Sequence, residues 1–142
     1  MGYRLRDRPI PVDGPGLGNG RRAGTLRDAV SRRRFEELVA EALDSLPRWV
    51  LTRLENVEVL VEDRPPRGEP SLLGRYHGIP LTERDGRYAG VLPDTITLYR
   101  STIEREASDD DELRRVIAHT VEHEVAHFFG ISDDRLREMD AY

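Results

Sequence analysis

Two histidines one helical turn apart, with a glutamate between them, are the residues of this chain best placed to do chemistry. They stand in His123-Glu124-Val125-Ala126-His127, at the start of the stretch HEVAHFFGISDD. On a helix, residues i and i+4 lie on one side, about 6 Å apart along the axis. That spacing suits two neighbouring positions around a tetrahedral Zn2+. The chain contains no cysteine, so a metal site must be built from imidazole and carboxylate. In the HExxH pattern the two imidazoles are ligands and the glutamate is not. It sits beside the water that the ion acidifies, accepts a proton as the oxygen attacks a carbonyl, and passes it to the leaving amine.

The following residues offer a third ligand. Gly130 stops the helix three residues after His127, so the chain can turn back beneath a metal. Asp133 then arrives in the pattern His-Glu-x-x-His-x-x-Gly-x-x-Asp. Asp134 competes for that role, and Asp133 could instead be only the N-cap of a last short helix. The plainer reading of the pair is two histidines on a helix edge with Glu124 as a surface partner. His119 continues the four-residue spacing, but a helix drifts about 40° with each such step. It lies roughly 12 Å along the axis from His127 and rotates toward the polar face, so it reads as a surface residue rather than a ligand.

These residues need a helix to hold them, and the local sequence supplies one. Ser108 precedes Asp109, Asp110, Asp111 and Glu112, a capped and acidic start. At about 100° per residue, Leu113, Val116, Ile117, Thr120, Val121, Val125 and Phe128 form an apolar stripe. Glu124 falls near its middle, where a carboxylate is costly unless it is paired or faces a polar cavity. Upstream, Phe35, Leu38, Val39, Ala42, Leu43 and Leu46 recur at helical spacing from about Ser31, and Pro47 ends or kinks that helix. RWVLTRLENV can add a short helical turn. VEVLVED (57–63) alternates as a half-buried strand, and Thr95–Arg100 reads as another. A final short helix begins near Ser132 or Asp133. Met139 and Tyr142 follow it closely enough to support a metal site from below.

Composition narrows the partners. Of 142 residues, 35% are charged and 37% hydrophobic, which predicts one domain with a modest core. All 22 basic residues are arginine. Residues 1–34 carry a local charge of +6 and residues 35–142 carry −11. Residues 1–24 hold six glycines and three prolines, so residues 1–30 read as a basic, flexible arm ahead of a domain at 31–142. GPGLGNG in that arm has no strand before it to make a phosphate loop. The acidic body argues against a nucleic-acid partner, although the arm's charge keeps one in view. No apolar run spans a membrane and no export signal is visible, which predicts a cytoplasmic protein. A homodimer is compatible with the sequence.

The extended motif resembles that of the Asp-zincins. FEELVAEALDSLP, VEVLVED, LLGRYHGIPLTER, GVLPDTITLYR and HEVAHFFGISDDRL together resemble the small bacterial zincin-like metallopeptidases, or mini-zincins. That resemblance covers most of residues 35–142 and not the arm. It implies an α+β fold: a small mixed β-sheet packed on an active-site helix, with an edge strand along the cleft; TITLYR is the candidate for a strand near that cleft. It also implies Zn2+ held by His123, His127 and Asp133, Glu124 as general base, and peptide or unfolded protein as substrate. The larger relatives' methionine turn has no room after Asp133, which leaves Met139 or Tyr142 to replace it. The competing function is a non-catalytic module that binds a metal or a partner.

Overall fold

The alternating stretches become the centre of a sheet. In the computed structural model, which describes residues 3–6, 22–84 and 92–138, strand β2 (Val57–Glu62) buries Val57, Val59 and Val61 and leaves the intervening side chains half-exposed. Strand β4 (Asp94–Tyr99) buries Asp94, Ile96 and Leu98 on the matching face. The two pair in parallel, Val57 opposite Asp94 through Glu62 opposite Tyr99. β1 (Tyr3–Arg6) adds to β2 in parallel, and β3 (Gly74–His77) adds to β4 antiparallel. Among the described residues the order is β1-β2-β4-β3 in one mixed sheet.

Helix α1 (Arg22–Asp44) and helix α4 (Asp110–Phe128) pack against each other and cover the sheet. Phe35, Leu38 and Leu43 from α1 meet Ile117, Val121 and Phe128 from α4 over Val59, Ile96 and Leu98. Each of these is at most 1% exposed, so one apolar core fixes the face that α4 turns to the sheet. α2 (Arg48–Arg53) follows Pro47, as expected from RWVLTR, and Val50 anchors it. No helix among the described residues is long and apolar enough to cross a membrane.

The architecture is the α+β, mixed-sheet arrangement implied by the resemblance, with four local differences. First, α1 begins at Arg22, well before Ser31, and Tyr3–Arg6 forms a strand where the sequence reads an arm. Residues 22–30 lack a strong apolar stripe but are mostly good helix formers, and backbone propensity carries a helix already anchored by Phe35 and Leu38. Second, an unforeseen helix α3 (Arg100–Glu106) follows β4 directly. It is too short to show a period, and buried Ile103 and the Thr102 hydroxyl bonded to the Leu72 carbonyl (2.7 Å) fix it from outside. Third, Asp109 rather than Ser108 caps α4: its side chain accepts from the Glu112 backbone N–H at 2.7 Å. Ser108 donates to the Glu112 side chain instead. Fourth, the strand that lines the cleft is β3, at one edge of the sheet, while TITLYR in β4 lies next to it inside the sheet. GPGLGNG, Met139 and Tyr142 lie outside the described residues.

α4 stops where Gly130 adopts φ of +88°, a conformation that costs other residues steric strain. A Cβ at Gly130 would also sit 2.1 Å from the Thr82 hydroxyl. Gly130→Ala is therefore expected to destabilise the chain by about 2 kcal/mol, roughly a 5 °C fall in melting temperature. A thermal scan of both proteins checks this.

Candidate metal centre

The end of α4 and the start of α5 (Asp133–Glu138) bring three side chains to one point. Gly130 N–H bonds back to the His127 carbonyl (2.9 Å), and Ile131 N–H to that of Ala126 (3.0 Å). The returning chain places Asp133 Oδ1 3.1 Å from His123 Nε2 and 2.9 Å from His127 Nε2. The two imidazole nitrogens are 3.2 Å apart. Ligands about 2.0–2.1 Å from a tetrahedral zinc lie roughly 3.3 Å from one another, so this triangle has close to the size that such an ion needs. Lone pairs converging this closely repel unless a proton or cation lies between them. Burial, reinforced by His127, lowers the His123 pKa and favours its neutral, ligating form. The residues present fit a divalent metal.

The alternatives left open by the sequence separate here. Asp134 pairs with Arg137 (3.3 Å) and is not in the triangle. Ser132, not Asp133, caps α5: its hydroxyl accepts from the Arg135 backbone N–H at 3.2 Å, which leaves the Asp133 carboxylate for the histidines. His119 is exposed, with its ring centroid 6.3 Å from that of His123, and it does not join the group. It lines one side of the cleft instead.

Glu124 is only 6% exposed. Burial pushes its pKa up to about 7, opposed by His127 and by a hydrogen bond from the Tyr76 backbone N–H. That bond comes from β3, whose close approach depends on Gly74. A Cβ there would lie 2.9 Å from Thr120 Cγ2 and 3.3 Å from Glu124 Cγ. Leu72, Gly74, Arg75, Tyr76, Pro80 and Glu83 face the histidines across a cleft of about 440 Å3. The cleft continues past Glu124 into a second space of about 360 Å3 beside Ser71 and His119. A larger, mostly apolar pocket of about 580 Å3 lies across α4, between α1 and α2, and holds no histidine.

The model of the zincin-like metallopeptidase family matches residues 54–142. The chain belongs to that family. The matched span of this zincin-like metallopeptidase runs from the end of α2 through the metal-centre residues, and excludes α1. No curated protein matches the chain.

Several residues that support this cleft escape the sequence reading. Nothing in the sequence around Gly74 marks it as a point of close contact. Asp94 carried a usable signal: it continues the Ile96 and Leu98 face of β4, and a carboxylate on a core face demands a partner. Its partners, Tyr76 and Arg84, were not deducible from spacing.

A carboxyl with a folded pKa near 7 and an ordinary value of 4.5 binds its proton more tightly in the folded state. Stability therefore falls as pH rises from about 4.5 to about 7, and the loss persists above that range. In metal-free protein, Glu124→Gln should exceed wild type in stability by up to about 3 kcal/mol at pH 8, with the difference vanishing near pH 4.5. Urea denaturation in chelator across that range measures it; a difference that grows on acidification would exclude burial as the cause.

Proposed function

We propose that the chain is a zinc-dependent endopeptidase in which His123, His127 and Asp133 hold Zn2+ and Glu124 is the general base. The observation that carries this reading is the buried Glu124 carboxylate beside a triangle of two imidazoles and one carboxylate. A site that only bound metal would have no use for a costly buried base next to it. When bound, the ion supplies Lewis acidity, acidifying a water and polarising a carbonyl.

The remaining chemistry belongs to the chain's own groups. A pKa near 7 lets Glu124 both accept a proton and release it at neutral pH. It takes the proton from the attacking water and delivers it to the departing amine. The Tyr76 N–H holds the carboxylate in place during both transfers. The cleft runs past Glu124 on both sides, bounded by Pro80 and Glu83 in one direction and by Ser71 and His119 in the other. Such a cleft admits an extended chain in the middle of its length. This favours peptides or unfolded protein as substrate and internal bonds as the point of cleavage.

Metal-replete protein should carry about one zinc per chain. His123→Ala should weaken zinc binding by at least about 100-fold, while His119→Ala changes it less than about threefold. Competition with a chelator reads both constants, and equal losses would reassign the ligands. Glu124→Gln should keep the zinc and lose turnover by about 1,000-fold or more, because an amide of the same shape cannot accept the proton. Assays of a peptide library with wild type and variant decide it; undiminished cleavage would assign the activity to another group.

A further inference from the structure

Beneath the cleft wall lies a buried polar group that the proposed chemistry does not use. Asp94 opens β4 on the same face as Ile96 and Leu98 and is 2% exposed. Its Oδ2 accepts a hydrogen bond from the Tyr76 hydroxyl at 2.6 Å. The same oxygen pairs with the Arg84 guanidinium, whose side chain is itself largely buried. Arg84 does more than neutralise it: Nε donates to the Ile79 carbonyl at 2.7 Å, across the loop from 78 to 84. The guanidinium carbon also lies 5.3 Å from the centre of the Phe128 ring. The Tyr76 ring meets Phe128 edge-on, 6.1 Å away. Phe128 directly follows His127.

Asp94 and its two partners thus link three elements at the site. Tyr76 belongs to β3, and its backbone N–H bonds Glu124. Arg84 closes the loop that contributes Pro80 and Glu83 to the cleft. Phe128 ends the helix that carries the histidines and the base. The loop is fitted closely to this anchor: a Cβ on Gly78 would fall 2.4 Å from Asp94 Cγ. At the loop's other contact, Thr82 packs against the Gly130 turn.

Buried ion pairs seldom stabilise a fold more than apolar residues of similar volume, since desolvation offsets most of the attraction. Their directional bonds do specify where partners sit. We propose that Asp94 is a positioning residue of the catalytic centre: through Tyr76 and Arg84 it locks β3 and the 78–84 loop into one wall against α4. Asp94 is neither one of the three clustered ligand candidates nor among the residues that line the cleft. It acts by holding the Tyr76 amide on Glu124 and by keeping the wall at a fixed distance from the histidines. A displacement well under 1 Å at such a wall is enough to misalign a proton transfer. The catalytic consequence rests on the endopeptidase reading; the locking of the wall does not.

The test uses the full-length, zinc-loaded chain with Tyr76→Phe, which removes only the hydroxyl, and Asp94→Asn, which keeps the shape and removes the charge. Four quantities are measured: melting temperature, zinc per chain, amide hydrogen exchange by NMR at residues 76–84, and kcat and KM on one peptide. Tyr76→Phe is expected to stay folded and to keep its zinc. Exchange at Tyr76 and through the 78–84 loop should quicken at least tenfold, with exchange in β2 and the middle of α4 unchanged. kcat should fall about tenfold or more, with a smaller change in KM. Arg84→Lys, which retains the charge, should recover more of kcat than Arg84→Gln. Unchanged exchange at 76–84 in folded Tyr76→Phe overturns the proposal, as does faster exchange with kcat intact. Should Asp94→Asn fail to fold, Tyr76→Phe still decides. Should wild type cleave no peptide, the endopeptidase reading falls, and the exchange data alone judge the locking of the wall.

Discussion

A carboxylate on the core face of a helix is the constraint around which this small protein is arranged. Glu124 sits among Ile117, Val121, Val125 and Phe128 on the buried stripe of α4. A charge there requires a hydrogen-bond donor and a polar opening. The donor is the Tyr76 backbone N–H and the opening is the cleft. A backbone donor can approach from the side only if an edge strand lies against the helix, and β3 is that edge. It can come close enough only where no side chain intervenes, which explains Gly74 at the contact with Thr120 and Glu124. The strand order and this glycine answer the same demand. The residual cost of burial appears as a pKa near 7, which is the value that suits proton transfer at neutral pH.

The candidate metal centre of His123, His127 and Asp133 is assembled by short-range means. Two of its three groups share one turn of α4, and the third arrives six residues after His127 through the left-handed turn at Gly130. Leu136, 4% exposed, anchors α5 in the core, and Ser132 caps that helix, so Asp133 is held from both sides. Its carboxylate is left for the two imidazoles because the neighbouring serine takes the capping role.

Polar burial elsewhere follows the same logic. Asp63 receives Arg32 (2.6 Å) and Arg100 (3.3 Å) at the end of β2 opposite Asp94's strand partner, and Arg100 is 6% exposed. Among the described residues, no buried side-chain nitrogen or oxygen lacks a partner. Complete pairing is what allows a chain with 35% charged residues to close a core at all. The apolar residues supply most of the driving force, and the paired charges decide how strands and loops register against one another.

Local spacing determined the helix that carries the i, i+4 histidines, the inward-facing glutamate and the glycine stop, and it left the following acid open between Asp133 and Asp134. It also determined the alternating strands β2 and β4. These are statements about one helix, one turn or one strand, where side-chain direction follows from backbone period alone. Only the tertiary structure decided which strand borders the cleft, because the choice between β3 and TITLYR depends on long-range pairing that period 2 does not encode. The same holds for α3, held by burial rather than propensity. It holds for the division of labour between Ser132 and Asp133, which the two neighbouring capping residues leave undetermined. It holds most of all for Tyr76, Arg84 and Asp94. They are separated by 8 to 18 positions along the chain and meet only because a buried carboxylate on one strand must find its donors on a second strand and a loop.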